Sequence, residues 1–205
     1  MILMYHKIDI IAPTIWWVTV DTFVRQLSQL QSKSKEFVYL DDYDPNHPEQ
    51  VAITFDDAYE NVYRLAFPEL RRRSIPFEVF VIGAYIGKWN DFDRSEPKTR
   101  FADLDQLLEM AGGGARIQWH SRKHPELPRM DDERLAKELT VPKALRAAFD
   151  KPHLTWFAYP SGYHDERVVG CVKARFAGAV SVLEGQPKDR WTLNRVTVDE
   201  DTYLE

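Results

Sequence analysis

The sequence predicts an α/β fold: a single distorted (β/α) barrel with seven or eight mainly parallel strands. Short apolar segments typical of buried strands alternate with segments of helical periodicity, which is the pattern of parallel sheets with helical connections. Several predicted strands also end in polar or turn-forming residues, namely His6, Asp56-Asp57, His120 and Tyr159-Pro160. A barrel brings the carboxyl ends of its strands to one face, so it would gather these side chains. A doubly wound open sheet is the alternative.

Length and composition limit the possible partners. The chain has 205 residues, 44% of them hydrophobic, which suffices for one sizeable core, and we expect residues 1–205 to form a single domain. The net charge of −5 and scattered basic residues argue against a nucleic-acid partner. The sequence does not predict an oligomeric state. With Cys171 as the single cysteine, no disulfide forms within one chain.

The start of the chain and its apolar segments bear on location. Residues 1–6 show no basic leader followed by a long apolar run, and no apolar segment approaches the length of a membrane span. As written, the sequence therefore predicts a cytoplasmic location and no membrane span. A trimmed form of a secreted protein is the alternative.

The first half of the chain alternates strands with helical patterns. Asp21 is predicted to cap a helix with Phe23, Leu27 and Leu30 on one face. A second helical pattern follows the double aspartate, and Pro68 predicts a kink or a restart there. A loop of about twenty residues comes after residue 82, a length typical of functional or mobile loops. The strands of this half are predicted at residues 2–5, 37–40, 51–55 and 77–82.

The second half continues the same alternation. Asp103 and Gln106 predict a capping box at the start of a helix. Asp131 and Asp165 are predicted to cap further helices, and Pro142 fits the first turn of another. The strands are predicted at residues 115–119, 154–158, 179–182 and 193–198.

Asp56 and Asp57 directly follow the predicted strand at residues 51–55, a short apolar run rich in β-branched residues. Adjacent side chains on an extended backbone point to opposite sides, so the two carboxylates are expected to have different roles. One would bind a metal and the other would handle protons. The structural alternative is a helix cap followed by a solvated turn, since a helical pattern begins at Ala58.

His120 and His124 lie four residues apart, a spacing that places both imidazoles on one side of a helical turn or tight loop. With Asp57 they make a set of two histidines and one carboxylate. Such a set leaves positions open for water and substrate, and it suits one divalent ion, zinc first, with cobalt, nickel, iron or manganese as alternatives. Either histidine could instead cap a helix or bond within the core; the nearby double aspartate favours the metal.

Three segments resemble, in order and spacing, the first three motifs of the polysaccharide deacetylases, carbohydrate esterase family four. They are Thr54-Phe55-Asp56-Asp57, His120-Ser121-Arg122-Lys123-His124-Pro125 and Phe157-Ala158-Tyr159-Pro160-Ser161-Gly162. The resemblance implies a metal-dependent hydrolase that removes N-acetyl groups from an amino sugar or glycan.

The resemblance also implies a role for each matching residue. Asp56 would be the catalytic base, and Asp57, His120 and His124 would bind the divalent metal. The third motif would line the substrate groove, with the Ser161 amide stabilising the oxyanion. The groove residues carried over from that motif are Tyr159, Pro160, Ser161 and Gly162.

The sequence departs from the usual family pattern at three points, one of which is the absence of the secretion signal that exopolysaccharide enzymes of the family normally have. The third motif lacks the arginine that pairs with the base. Arg195 on the last predicted strand is a candidate replacement, and a surface arginine at a strand position is the alternative. No histidine follows His164, so the usual Leu-x-His motif near the end is absent. Met4-Tyr5-His6 resembles the permuted arrangement of members that act on poly-N-acetylglucosamine, which predicts His6 as the general acid and leaves His164 as its rival.

Two further functions remain as alternatives. A glycosidase with a pair of carboxylates would need them on separated strand ends, and the adjacent Asp56 and Asp57 argue against it. A non-catalytic carbohydrate-binding barrel would be expected to lack the base or a metal ligand. Neither is missing from this sequence.

Overall fold

The computed structural model of the chain describes residues 1–93, 95–183 and 189–204. In these residues, most strands belong to one parallel sheet, while two short strands, the second and third, pair separately. The strands are β1 (Ile2–Tyr5), β2 (Lys7–Asp9), β3 (Trp17–Thr19), β4 (Glu36–Phe37), β5 (Gln50–Phe55), β6 (Phe77–Val81), β7 (Ala115–Trp119), β8 (Trp156–Ala158), β9 (Gly178–Ser181), β10 (Leu193–Asn194) and β11 (Val196–Thr197).

The C-terminal segment closes the sheet into a barrel. The strand order is β10-β9-β8-β7-β6-β5-β1-β11, and β10 and β11 are separated in sequence only by Arg195. Leu193 pairs with Val180 of β9, whereas Val196 pairs with Leu3 of β1. One segment therefore joins both edges of the sheet. The predicted α/β barrel is confirmed, and the open-sheet alternative is wrong.

Helices cover the outside of the sheet. Asp103 and Gln106 form the predicted capping box, and Asp131 and Asp165 cap their helices as predicted. Pro68 is the second residue of the helix that restarts after a π-helical turn at Val62–Ala66, where its missing N–H costs no helical bond. The α-helices are α1 (Val20–Ser32), α2 (Phe67–Arg72), α3 (Leu104–Gly112), α4 (Asp132–Leu139), α5 (Lys143–Ala148) and α6 (Glu166–Lys173).

Some predicted boundaries are wrong because a side chain accepts a backbone N–H group that the prediction had assigned differently. Thr19, not Asp21, caps α1, because its hydroxyl already accepts the Thr22 N–H at the end of β3. The strand predicted at residues 37–40 ends at Phe37, since the Leu40 N–H turns inward to the Glu78 carboxylate at 3.0 Å. None of the described helices combines the length and hydrophobicity needed to cross a bilayer.

The barrel interior holds a small apolar cluster with buried polar groups beside it. Glu78 and Gln118 lie inside, joined by a 2.8 Å hydrogen bond, and the Gln118 carbonyl oxygen accepts the N–H groups of Thr155 and Trp156. The opposite face of each strand packs under the helices. Because the strands of the sheet are parallel, their carboxyl ends lie at one rim of the barrel. The apolar cluster comprises Ile2, Leu40, Ala52, Phe80, Trp156, Ala158, Val180 and Leu193.

Candidate active site

One cleft of about 340 Å³ opens at the carboxyl rim of the barrel. Its residues come from the ends of different strands, as the barrel prediction requires. Pro160 is buried and does not line the cleft, although the turn it begins does. The predicted site residues that line it are His6, Asp56, Asp57, His120, His124, Tyr159, Ser161, Gly162 and Arg195.

Asp57, His120 and His124 offer three potential ligand atoms that all lie within 4.8 Å of one another. The Asp57 Oδ1 atom is 3.6 Å from His120 Nε2 and 3.8 Å from His124 Nε2. This oxygen is buried and accepts no hydrogen bond from any described residue. A buried carboxylate oxygen without a donor is costly unless a cation neutralises it. The arrangement therefore fits a divalent metal ion.

The orientation of His120 suits metal binding. Its Nδ1–H donates to the Ala158 carbonyl at 2.8 Å, which leaves the Nε2 lone pair facing Asp57. Burial lowers the pKa of His120 to about 4, although the charge of Asp56 opposes the shift. The imidazole is consequently neutral at physiological pH, the form that binds a metal.

His124 is held by its own backbone and by an aromatic neighbour. Its N–H donates to the Ser121 hydroxyl at 2.9 Å. The Phe92 ring, from the long loop between β6 and α3, lies against the imidazole with ring centres 5.3 Å apart. This loop therefore takes part in the site, as its length predicted.

Several site residues adopt left-handed backbone conformations that non-glycine residues rarely adopt. Each such residue costs on the order of 1–3 kcal/mol, and such strain concentrates at functional sites. The φ angles are 68° at Asp57, 62° at Ala58, 65° at Ser121, 60° at His124 and 54° at Ser161.

Asp56 faces the guanidinium of Arg195 in a buried, bidentate pair. Arg195 Nη1 donates to Oδ1 at 2.7 Å and Nη2 donates to Oδ2 at 2.6 Å. Arg195 Nη1 also donates to the Thr54 hydroxyl at 3.1 Å. Burial alone would raise the pKa of Asp56, but Arg195 and then His120 outweigh it and hold the pKa well below its usual range. Asp56 is thus ionised at neutral pH.

The structure separates the two candidate acids. His6 lines the cleft, and its ring packs against Trp16 with centres 4.8 Å apart. Burial lowers the pKa of His6, and the charges of Asp57 and Asp56 oppose that shift. His164 instead stacks on Tyr159 at 4.6 Å, bonds to the Gly162 carbonyl and lines a separate pocket. Of the two, only His6 lines the cleft that contains Asp57, His120 and His124.

The turn Pro160–Gly162 forms another side of the cleft. Gly162 has a φ of +75°, and a Cβ there would lie 2.6 Å from the Val182 side chain, so glycine is required. The Ser181 hydroxyl donates to the Gly162 carbonyl at 2.9 Å and fastens the turn to β9. The Tyr159 hydroxyl donates to the Trp191 carbonyl at 2.9 Å, which anchors the residue that precedes the turn.

Sequence reasoning missed several lining residues. Loop length was the available signal for the part of the wall contributed by residues 83–102, and no motif pointed to the individual side chains. Lys7 follows His6 directly but carries no motif of its own. The missed residues include Lys7, Trp16, Tyr59, Phe92, Asp93 and Tyr163.

The family model described as polysaccharide deacetylase matches residues 43–178, which is more than half of the chain. The chain belongs to the polysaccharide deacetylase family. The matched range contains Asp56, Asp57, His120 and His124 but neither His6 nor Arg195. Those two residues of this polysaccharide deacetylase are brought to the site by closure of the barrel.

A named relative agrees with this assignment. YxkH of Bacillus subtilis, named as a candidate polysaccharide deacetylase, is 28% identical over 152 residues, a match that covers 72% of this chain and 51% of that protein. The chain thus spans about half the length of this relative.

Solved structures share the fold. The deacetylase PplD of Streptococcus pyogenes, solved in complex with acetate, superposes with a TM-score of 0.81 at 22% identity, covering 98% of this chain and 92% of that one. IcaB from Ammonifex degensii gives a TM-score of 0.76 at 23% identity with the same coverage of both chains. At these identities the likeness is one of fold, and it supports the barrel.

Proposed function

We propose that this polysaccharide deacetylase is a metal-dependent hydrolase that removes N-acetyl groups from an amino sugar or glycan. The observation that carries the proposal is the convergence, in one cleft, of the Asp57, His120 and His124 cluster with the Asp56–Arg195 pair. A divalent ion held by the cluster would polarise the acetyl carbonyl and lower the pKa of a bound water. Two imidazoles and a carboxylate suit zinc best.

The chain's own residues supply the proton transfers. Asp56, kept ionised by Arg195, accepts a proton from the attacking water. The Ser161 N–H is the proposed donor to the oxyanion. His6 protonates the leaving nitrogen, because an amine anion is a very poor leaving group. A C–O bond forms, the C–N bond breaks, and the products are acetate and the free amino sugar.

The walls of the cleft suit a sugar. Trp16, Phe92 and Tyr163 line it, are not fully buried, and offer ring faces for the apolar face of a pyranose. We infer an N-acetylated sugar or glycan as the substrate class. Because the site residues range from His6 to Arg195, residues 1–205 are proposed to act as one catalytic domain. A two-carboxylate glycosidase is disfavoured, since it needs a carboxyl that can stay protonated, and Arg195 keeps Asp56 ionised.

The test is metal analysis followed by an acetate-release assay. Protein purified without chelator should contain about one divalent ion per chain, as expected for a single three-ligand site. It should release acetate from N-acetylglucosamine or its oligomers. Chelation should abolish release, and added Zn²⁺ or Co²⁺ should restore it. Acetate release that survives complete metal removal would disprove the metal-dependent mechanism, and no release from any N-acetylated sugar would disprove the proposed reaction.

A further inference from the structure

Glu96, in the long loop between β6 and α3, holds a buried ion pair beside the cleft. Its carboxylate accepts hydrogen bonds from Lys7 Nζ at 3.1 Å, Trp17 Nε1 at 2.8 Å and the Thr14 hydroxyl at 2.8 Å. The side chains of Lys7 and Glu96 are only 2% and 5% exposed. A buried ion pair persists only where further hydrogen bonds satisfy its atoms, and Glu96 meets that condition.

All three donors lie close in sequence to His6 or Trp16, two residues that line the cleft. Lys7 follows His6, and Trp17 follows Trp16. The Thr14 hydroxyl also accepts the Trp16 N–H at 3.3 Å, and the Lys7 N–H donates to the Trp16 carbonyl at 3.2 Å. Since the rings of His6 and Trp16 are in contact, a displacement of Lys7 or Trp17 would move both rings.

The loop that carries Glu96 also forms part of the cleft wall. Phe92 and Asp93 line the cleft, and Phe92 packs against His124. Asn90 fastens the base of this segment, because its backbone N–H and its side-chain oxygen both bond to Thr99. Glu96 therefore joins two walls of the cleft that belong to segments far apart in the sequence.

Lys7 depends on Glu96 for its neutralisation. The Lys7 ammonium lies 4.3 Å above the Tyr59 ring and 5.2 Å from the Trp17 ring. Aromatic faces attract a cation but carry no net charge, so Glu96 supplies the counter-charge. Without it, the buried ammonium would have to move toward water and would pull the start of β2 with it.

We propose that Glu96 is a positioning residue that holds His6 and Trp16 at the cleft through its bonds to the residues beside them. The kinetic consequence rests on the proposed role of His6 as the acid. The structural consequence is independent of that role, so the two are measured separately.

The kinetic arm compares Glu96→Ala with Asp91→Asn. Asp91 lies in the same loop but pairs with Lys98 at the exposed surface, so it is a matched control. Glu96→Ala should lower kcat about tenfold on an N-acetylglucosamine oligomer and change the rate on an activated aryl acetate less than about threefold, because only the amide needs a proton donor. Bound metal should be unchanged. Asp91→Asn should match the unmodified protein on both substrates.

The structural arm needs no activity. Amide hydrogen exchange at Lys7 and Trp17, both hydrogen-bonded in the β2–β3 region, should be about tenfold faster in Glu96→Ala, and the His6 ring signals in NMR spectra should shift. If Glu96→Ala fails to fold, Glu96→Gln and the double variant Lys7→Met with Glu96→Gln replace it. The double variant also removes the Lys7 charge that Glu96→Gln leaves without a partner, so it should recover the exchange protection that Glu96→Gln loses.

The outcomes separate the two proposals. Unchanged exchange and His6 signals in Glu96→Ala would overturn the positioning role, whatever the activity. Changed exchange in a protein that deacetylates no sugar would support the positioning role and disprove the proposed function. Changed exchange with equal losses on amide and ester would support the positioning role and disprove the assignment of His6 as the acid.

Discussion

Arg195 and Asp56 form a buried bidentate pair, with N···O distances of 2.7 and 2.6 Å, between a residue of the closing segment and a residue at the end of β5. Arg195 separates β10 from β11, the two halves of the segment that joins both edges of the sheet. The same segment therefore closes the barrel and supplies the cation for the proposed base. The family's usual arginine position is filled by the Phe157-Ala158-Tyr159 segment, so the cation comes from elsewhere in the chain.

Arg195→Met should raise the pKa of Asp56, because burial would no longer be opposed by the guanidinium. The acid limb of the kcat/KM profile should then move up toward neutral pH. Breaking such a buried pair typically destabilises a protein by about 3–5 kcal/mol, measurable by urea unfolding. The Asp56 carboxylate stabilises the folded state above its unfolded pKa, and this contribution is lost as pH falls. Arg190→Met, which breaks a partly exposed contact to Asp41, is the control. An unmoved acid limb would contradict this prediction.

His124→Ala should remove bound metal and activity together while the protein stays folded. The imidazole is a proposed ligand at the edge of the cluster and is not needed for barrel closure. His47→Ala, in an exposed loop, should keep both metal and activity. Metal content by elemental analysis and fold by circular dichroism decide the outcome. Full metal occupancy in His124→Ala would remove this residue from the ligand set.

Asp56→Asn should keep the metal and lose turnover. Removing a positioned base costs on the order of a hundredfold to ten-thousandfold in rate. The exposed carboxylate of Asp42, replaced in the same way, should have no effect. The measurement is kcat for acetate release beside metal content. Near-normal turnover in the variant would show that another group takes the proton.

His6→Ala should retain metal and fold, lose most activity on an N-acetyl substrate and lose much less on an activated aryl ester. The ester's leaving group needs no proton, whereas the amine does. His164→Ala should have the smaller effect on the amide, because His164 faces a different pocket. A larger loss from His164→Ala, or equal losses on both substrates from His6→Ala, would contradict the assignment of the acid.

Glu78 should give the folded protein a pH dependence of its own. Burial raises the pKa of this carboxyl to about 7, although hydrogen bonds from Gln118 and Leu40 oppose the shift. Between the unfolded pKa of about 4.5 and the folded pKa of about 7, the folded state binds more protons than the unfolded state. The free energy of unfolding therefore falls as pH rises through this range, by on the order of 3 kcal/mol.

The test of Glu78 compares urea unfolding at acidic and slightly alkaline pH. Glu78→Gln should lose this contribution to the pH slope. It should also be less stable at low pH, because both oxygens of Glu78 accept hydrogen bonds and an amide nitrogen cannot. Glu138→Gln, which changes another buried carboxylate, is the control, and the pH slope of its unfolding free energy is compared with that of Glu78→Gln. An identical pH slope in Glu78→Gln would contradict the prediction.

The barrel and the metal-capable cluster could be predicted because their signals are local. Asp56 and Asp57 follow a run of apolar, β-branched residues, and His120 follows the strand Ala115–Trp119, so strand ends and polar side chains coincide in the sequence itself. Two errors in strand boundaries fell where a side chain bonds to a distant backbone group. Glu78 ends the strand after Phe37, and the Gln118 side chain accepts the Thr155 and Trp156 N–H groups near the start of the strand predicted at residues 154–158.

The sequence by itself determined the fold class, the family motifs and the residues that could bind a metal, because periodicity and spacing act over a few neighbouring residues. Only the tertiary structure decided which side chains share the cleft. Arg195 reaches Asp56 across 139 residues, and Glu96 reaches Lys7 across 89. These pairs form because barrel closure and the long loop exclude water around opposite charges, and buried charges far apart in sequence are stable only when they meet.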